Sequence, residues 1–172
     1  ATFTINPNKT EYENWLDFLE SGGTSEEWER LKRIDSPTFA EDAVQRFNRY
    51  QEEVKSVAAK YYVSIQLIEK EWSVLYNLQE YTGSRAEKFE NTCLTSIKLY
   101  KKIHEIDLKY GEKTATNIPA YRRLAMLYEK QGFYEKSVAV CKEARSFGMD
   151  ERSRMIKMIK KAGRTPTAEE AA

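Results

Sequence analysis

The chain has 172 residues, with 28 Lys and Arg against 27 Asp and Glu and a formal net charge of +1. That balance supplies no global electrostatic reason to bind nucleic acid or an anionic membrane. Seven Gly and four Pro are few for a chain of strands and turns, and no apolar run approaches the roughly 18 residues needed to cross a bilayer, so an all-α fold is expected.

Residues 1–35 read as two short helices. Thr10 with Glu13, in TEYE, forms a capping-box pattern, in which hydroxyl and carboxylate each satisfy an orphan backbone N–H. TSEE repeats it with Thr24 and Glu27, and TFAE with Thr38 and Glu41. The first helix carries Trp15, Leu16, Phe18 and Leu19 and stops at Gly22-Gly23; the second carries Trp28 and Leu31 and stops before Ser36-Pro37. Such short helices need a larger element to pack on.

Residues 39–111 read as long helices. Val44, Phe47, Tyr50, Val54, Val57 and Tyr61 recur at three- and four-residue spacing, and the β-branched and aromatic run YYVSI predicts a break near Val63 or Ser64. Gly83 closes that region. Phe89, Cys93, Ile97, Tyr100 and His104 then mark one stripe of a further helix, which ends at Gly111. Two helices follow at about 119–131 and 133–147, then a basic one at about 150–162 and a tail, 165–172, expected to fray. No linker composition divides the chain, so a single domain is expected.

Little catalytic chemistry is legible. His104 is the only histidine, and two separated cysteines with one histidine cannot make a zinc site. Phosphate-cradling glycine motifs are absent. No cofactor and no enzymatic activity are expected. SGGTSEE could present a helix N-terminus to an anion, but a helix stop followed by a cap accounts for it. Cys93 and Cys141 form no CxxC pair, and the N-terminus lacks a basic-then-apolar leader, so a reduced, cytoplasmic protein is expected.

The stretch YRRLAMLYEKQGFYEKSVAVCKEA, residues 121–144, resembles a tetratricopeptide repeat, a 34-residue helix-turn-helix unit. Tyr121 stands where that family prefers Trp. Leu124, Ala125, Tyr128, Gly132, Tyr134, Ser137 and Ala144 match its apolar, small, aromatic and turn positions. Cys141 replaces an aromatic, and Met149 the closing proline. A degenerate copy, about 65–111, equates Ser96 with Ser137 and Tyr76 with Tyr128. The resemblance implies antiparallel hairpins in a right-handed superhelix, closed by a capping helix. It also implies a protein or peptide partner on an inner face carrying Arg122, Met126, Glu129 and Lys130, with self-association as the alternative assembly. The family's carboxylate clamp wants Asn where Met126 stands, which argues against chaperone tails as ligands.

A competing class is a nucleic-acid-binding regulator. KSVAAKYYVSIQLIEKEW, residues 55–72, resembles a DNA-binding helix-turn-helix, although Tyr62 takes the turn glycine's place and Glu69 and Glu71 would repel phosphates. The basic segment 152–164 carries Arg152, Arg154, Lys157, Lys160, Lys161 and Arg164 without an acid, with Met155, Ile156 and Ile159 as its apolar side. It reads as a capping helix, with recruitment of an acidic partner as the other use.

Overall fold

The computed structural model describes residues 3–172, apart from the side chains of residues 32–41. The described residues form seven helices and no strand: α1 (Glu11–Glu20), α2 (Ser25–Leu78), α3 (Ser84–Tyr110), α4 (Pro119–Gln131), α5 (Tyr134–Ser146), α6 (Arg152–Lys161) and α7 (Ala168–Ala171). Thr10 caps α1 by accepting the Glu13 backbone N–H at 3.1 Å. Thr24 does the same for α2, accepting from Glu27 N at 3.2 Å. The stop expected before Ser36-Pro37 is not formed, because α2 runs as one helix from Ser25 to Leu78; the capping box expected of Thr38 with Glu41 rests on side chains that lie outside the described residues.

The break expected near Val63 or Ser64 is not formed, and the helix runs through both. β-Branched residues cost a helix only a few tenths of a kcal/mol each. Here Tyr61, Ser64 and Ile68 share a buried face that offsets this cost, and the Ser64 hydroxyl is satisfied within its own turn by the Tyr61 carbonyl, 2.6 Å away.

The chain divides into two compact units, residues 1–57 with 103–114 and residues 58–102 with 115–172. In the first unit Phe3, Phe18 and Trp28 pack ring against ring, with centroids 5.2 Å apart for Phe3–Phe18 and 5.4 Å for Phe18–Trp28. Gly23 is required beside them, because a Cβ there would meet the Phe18 ring at 2.3 Å. Tyr50 donates to Asp107 at 2.6 Å, and Glu53 accepts from both Lys109 and Tyr110 at 2.8 Å. Val54 is buried, but Val44 and Phe47, expected on the same stripe, are exposed.

The second unit is a set of helical hairpins. On α3 the expected stripe of Phe89, Cys93, Ile97 and Tyr100 is buried. α4 is tied to the α2–α3 pair by Arg123, which donates to both Glu69 carboxylate oxygens at 3.2 and 2.8 Å, and by Tyr128, which donates to Glu90 at 3.1 Å. Gly132 takes a left-handed φ of +80° and closes α4, its N–H and that of Phe133 returning to the last carbonyls. α5 then folds back so that Val138 and Cys141 meet Ala125, and α6 completes that cluster with Met155, Met158 and Ile159.

The tail is not frayed. Thr167 and Glu170 form a complete capping box, and Glu170 is 2% exposed. A four-residue helix has no stability of its own; Arg164, Lys142 and Arg152 hold this one in place.

Candidate functional site

Along the second unit, α2 and α3 leave an open groove of about 920 Å³. The α2 wall presents Ala59, Val63 and Leu67, spaced by four residues and therefore aligned along one helix face. The α3 wall presents Asn91, Thr95 and Leu99 at the same spacing. Val63 is 63% exposed and Leu67 39%, so this apolar strip faces solvent. The floor is fixed by polar contacts: Ser64 and Ser96, both buried, share a hydrogen bond of 2.8 Å, and Thr92 donates toward the Glu71 carboxylate at 3.1 Å. Lys60, Glu87 and Lys88 complete the lining with charge.

Ser96 is the residue equated above with Ser137, and both are fully buried small residues that bridge two helices. Their registers differ. Ser137 meets a residue 12 positions away, whereas Ser96 meets one 32 positions away, far deeper in its hairpin. Tyr76, equated with Tyr128, is 58% exposed, while Tyr128 is 7% exposed; Trp72 and Leu75 fill the core on that stretch of α2 instead.

The four residues expected on an inner face do not make one open surface. Glu129 is half-buried and takes cations from α6: Lys161 at 2.8 Å, Lys157 at 3.4 Å and Arg154 at 3.8 Å. Burial pushes its carboxyl up, but the Lys161 hydrogen bond and the Lys157 charge outweigh that, and it ionises below its usual range. Arg122 lies 3.7 Å from Glu151, Met126 is half-buried beside Arg123, and Lys130 sits over the Tyr81 ring at 5.5 Å.

The basic helix is packed and largely neutralised. Met155 and Ile159 are fully buried as expected; Met158 joins them, while Ile156 is only partly buried. Arg152 donates to the Ala171 carbonyl at 2.7 Å, Arg154 to Glu151 at 3.1 Å, and Arg164 to Glu135 at 2.6 Å. Lys160 is exposed, and no ion pair of it occurs among the described residues.

The segment 55–72 lies wholly inside α2, so the turn that a DNA-reading helix-turn-helix requires is not formed. Tyr62, at the turn position, is helical and 65% exposed; a left-handed conformation would cost a non-glycine residue there roughly 1–2 kcal/mol. At SGGTSEE, the helix N-terminus is occupied by its own Thr24 cap. His104 places Nδ1 3.1 Å from Thr114 Oγ1. Burial raises both thiols, Cys141 to about 12, so neither is a thiolate at neutral pH. Among the described residues no cluster of His, Cys, Asp or Glu could hold a metal, and no helix is long and apolar enough to cross a membrane.

Two features escaped the sequence reading. The groove is built from residues that periodicity assigns to a helix without saying which helix faces are left uncovered. The tail's Thr167-Ala-Glu-Glu170 carries the same capping-box signature as Thr10–Glu13 and was legible in principle. Comparison with protein-family models, with curated proteins and with solved structures returns no match to this chain.

Proposed function

We propose that this chain is a tetratricopeptide-like interaction module that binds an amphipathic helix of a partner protein in the α2–α3 groove. The observation that carries the reading is the solvent-facing apolar strip of Ala59, Val63, Leu67 and Leu99, set over a floor fixed by Ser64 and Ser96. Exposed contiguous apolar surface of this kind marks interaction sites, and a channel between two antiparallel helices is the shape that receives a third. Residues 84–99 span about 22 Å at 1.5 Å per residue, the length of some four helical turns. The rim adds charge. Lys60 and Lys88 outnumber Glu87, which favours a helix flanked by acidic residues.

The ion pairing of α6 supports protein over nucleic acid as the partner. Cations already engaged by Glu129, Glu135 and Glu151 release few counterions from a phosphate backbone.

The test is a selection of displayed amphipathic helices against the intact chain, followed by Val63→Glu and Leu67→Glu. Both side chains are exposed, so these variants should melt like the parent while binding at least about tenfold more weakly, the loss of about 1.4 kcal/mol. Equal binding to parent and variants would place the site elsewhere. Concentration-dependent dimerisation in sedimentation velocity, abolished by the same substitutions, would make a second copy the occupant.

A further inference from the structure

Arg164 is a guanidinium held between two carboxylates. Its Nε and Nη2 donate to Glu135 at 2.6 and 3.1 Å, and its Nη1 and Nη2 donate to Glu170 at 2.8 and 2.9 Å. The Glu135 pairing fixes the plane of the guanidinium from α5. The other edge is thereby aimed at whatever carboxylate arrives, the geometry in which Arg recognises carboxylates best. Lys142, also on α5, reaches the same Glu170 carboxylate at 2.9 Å. Arg152, at the start of α6, donates to the carbonyl of Ala171 at 2.7 Å.

What these cations hold is slight. Of residues 165–172 only Glu170 is buried; Thr167, Ala168, Glu169, Ala171 and Ala172 are exposed. The segment is therefore retained chiefly by one carboxylate, one carbonyl and its own Thr167 cap, with the half-buried Pro166 as its one partly covered apolar side chain. It also leaves room: a cavity of about 340 Å³ remains beside it, bounded by Lys142, Arg145, Ser146 and Met155 together with Glu169 and Glu170.

We propose that the cleft formed by Lys142, Arg152 and Arg164 is a receptor for an acidic peptide with Ser or Thr three residues before Glu, and that residues 165–172 occupy it as a built-in competitor. A receptor built to recognise only its own tail has no need of unfilled space next to the recognised carboxylate. A ligand with a larger side chain beside its glutamate fills the cavity that the alanine-rich tail leaves. The tail keeps its place by tethering: a short link supplies an effective concentration in the millimolar range. An external peptide gains the site when the tail is released or when a second contact on the same partner adds to its affinity. This site is separate from the α2–α3 groove, and neither reading depends on the other.

The test uses the full chain and a fluorescein-labelled peptide, Pro-Thr-Ala-Glu-Glu-Ala, blocked at both ends so that terminal charges do not contribute. In the parent, binding is expected to be weak, because the site is filled. Glu170→Ala should free the tail, seen as faster amide exchange at residues 168–171, and tighten peptide binding at least about tenfold, as loss of an intramolecular competitor requires. Adding Lys142→Met in that background should abolish the gain, as should raised salt. A freed tail without tighter peptide binding overturns the proposal, and so does binding that is indifferent to Lys142→Met. Unchanged exchange at residues 168–171 in Glu170→Ala overturns it as well, because the carboxylate is then not the lock. If that variant does not fold, millimolar unlabelled peptide added to the parent should accelerate exchange at 168–171; no acceleration counts against the site.

Discussion

The Ser137 hydroxyl donates to the main-chain carbonyl of Ala125 at 2.9 Å, and both residues are buried. The bond crosses from α5 to α4 and sets how closely the two helices approach. Ala125 also touches the cluster that α6 completes. Ala125→Leu should therefore overpack the hairpin and cost roughly 1–3 kcal/mol. Ser137→Ala should cost about 1 kcal/mol through the lost bond, since the carbonyl keeps its helical partner. Thermal melts check both; a Tm unchanged by Ala125→Leu would contradict the close approach.

On α6 two lysines three residues apart should behave differently. Lys157 lies 3.4 Å from the half-buried Glu129, and Lys160 is exposed without an ion pair among the described residues. Lys157→Glu sets like charges against each other and should lower the Tm clearly. Lys160→Glu should remain within about 0.5 kcal/mol of the parent, as surface substitutions generally do. Ile159→Asp, at a fully buried position, should cost at least about 3 kcal/mol by leaving a charge uncompensated in the core. Equal effects of the two lysine reversals in chemical denaturation would remove Glu129 as the anchor of α6.

Tyr61 is buried against Tyr100, with ring centroids 6.0 Å apart, and its hydroxyl has no hydrogen-bond partner among the described residues. Burial pushes its ionisation up to about 12. An unsatisfied buried hydroxyl carries a penalty of roughly 1–3 kcal/mol, so Tyr61→Phe should leave the Tm unchanged or raise it. A fall of several degrees would mean that the hydroxyl is satisfied in solution.

Acid should release the tail late. The Arg164 hydrogen bonds, then the Thr167 backbone N–H and Lys142, hold the Glu170 carboxyl far below its ordinary value of 4.5. A carboxyl depressed in the folded state contributes stability that is complete above its unfolded value and is lost as pH falls through the folded one. Docking of residues 168–171 should therefore be independent of pH between about 5 and 7 and weaken only below about 4.5. Amide exchange or proton shifts of the tail followed from pH 7 to 3 give the readout. In Glu170→Gln that acid-dependent step should vanish; its persistence would assign the titration to another group.

The sequence by itself determined the helices and much of what they bury. Capping threonines, the glycines at 111 and 132, and the stripe from Phe89 to Tyr100 are local signals, because caps, left-handed turns and the 3.6-residue period act within a few residues. Ala125 and Ser137 were legible as a close pair because small residues at those offsets let two helices meet. Only the tertiary structure decided where continuity prevails and which faces remain open. Helix propensity at YYVSI is a matter of tenths of a kcal/mol, and the buried contacts of Tyr61, Ser64 and Ile68 outweigh it. A run of like charge within one helix contains no information about acids on its neighbours, so the cations of α6 looked available until Glu129, Glu135 and Glu151 were placed beside them. The groove and the docked tail are decided in the same way. Whether Val63 meets solvent or a helix, and whether Glu170 meets water or Arg164, depends on partners distant in sequence, and periodicity carries no record of them.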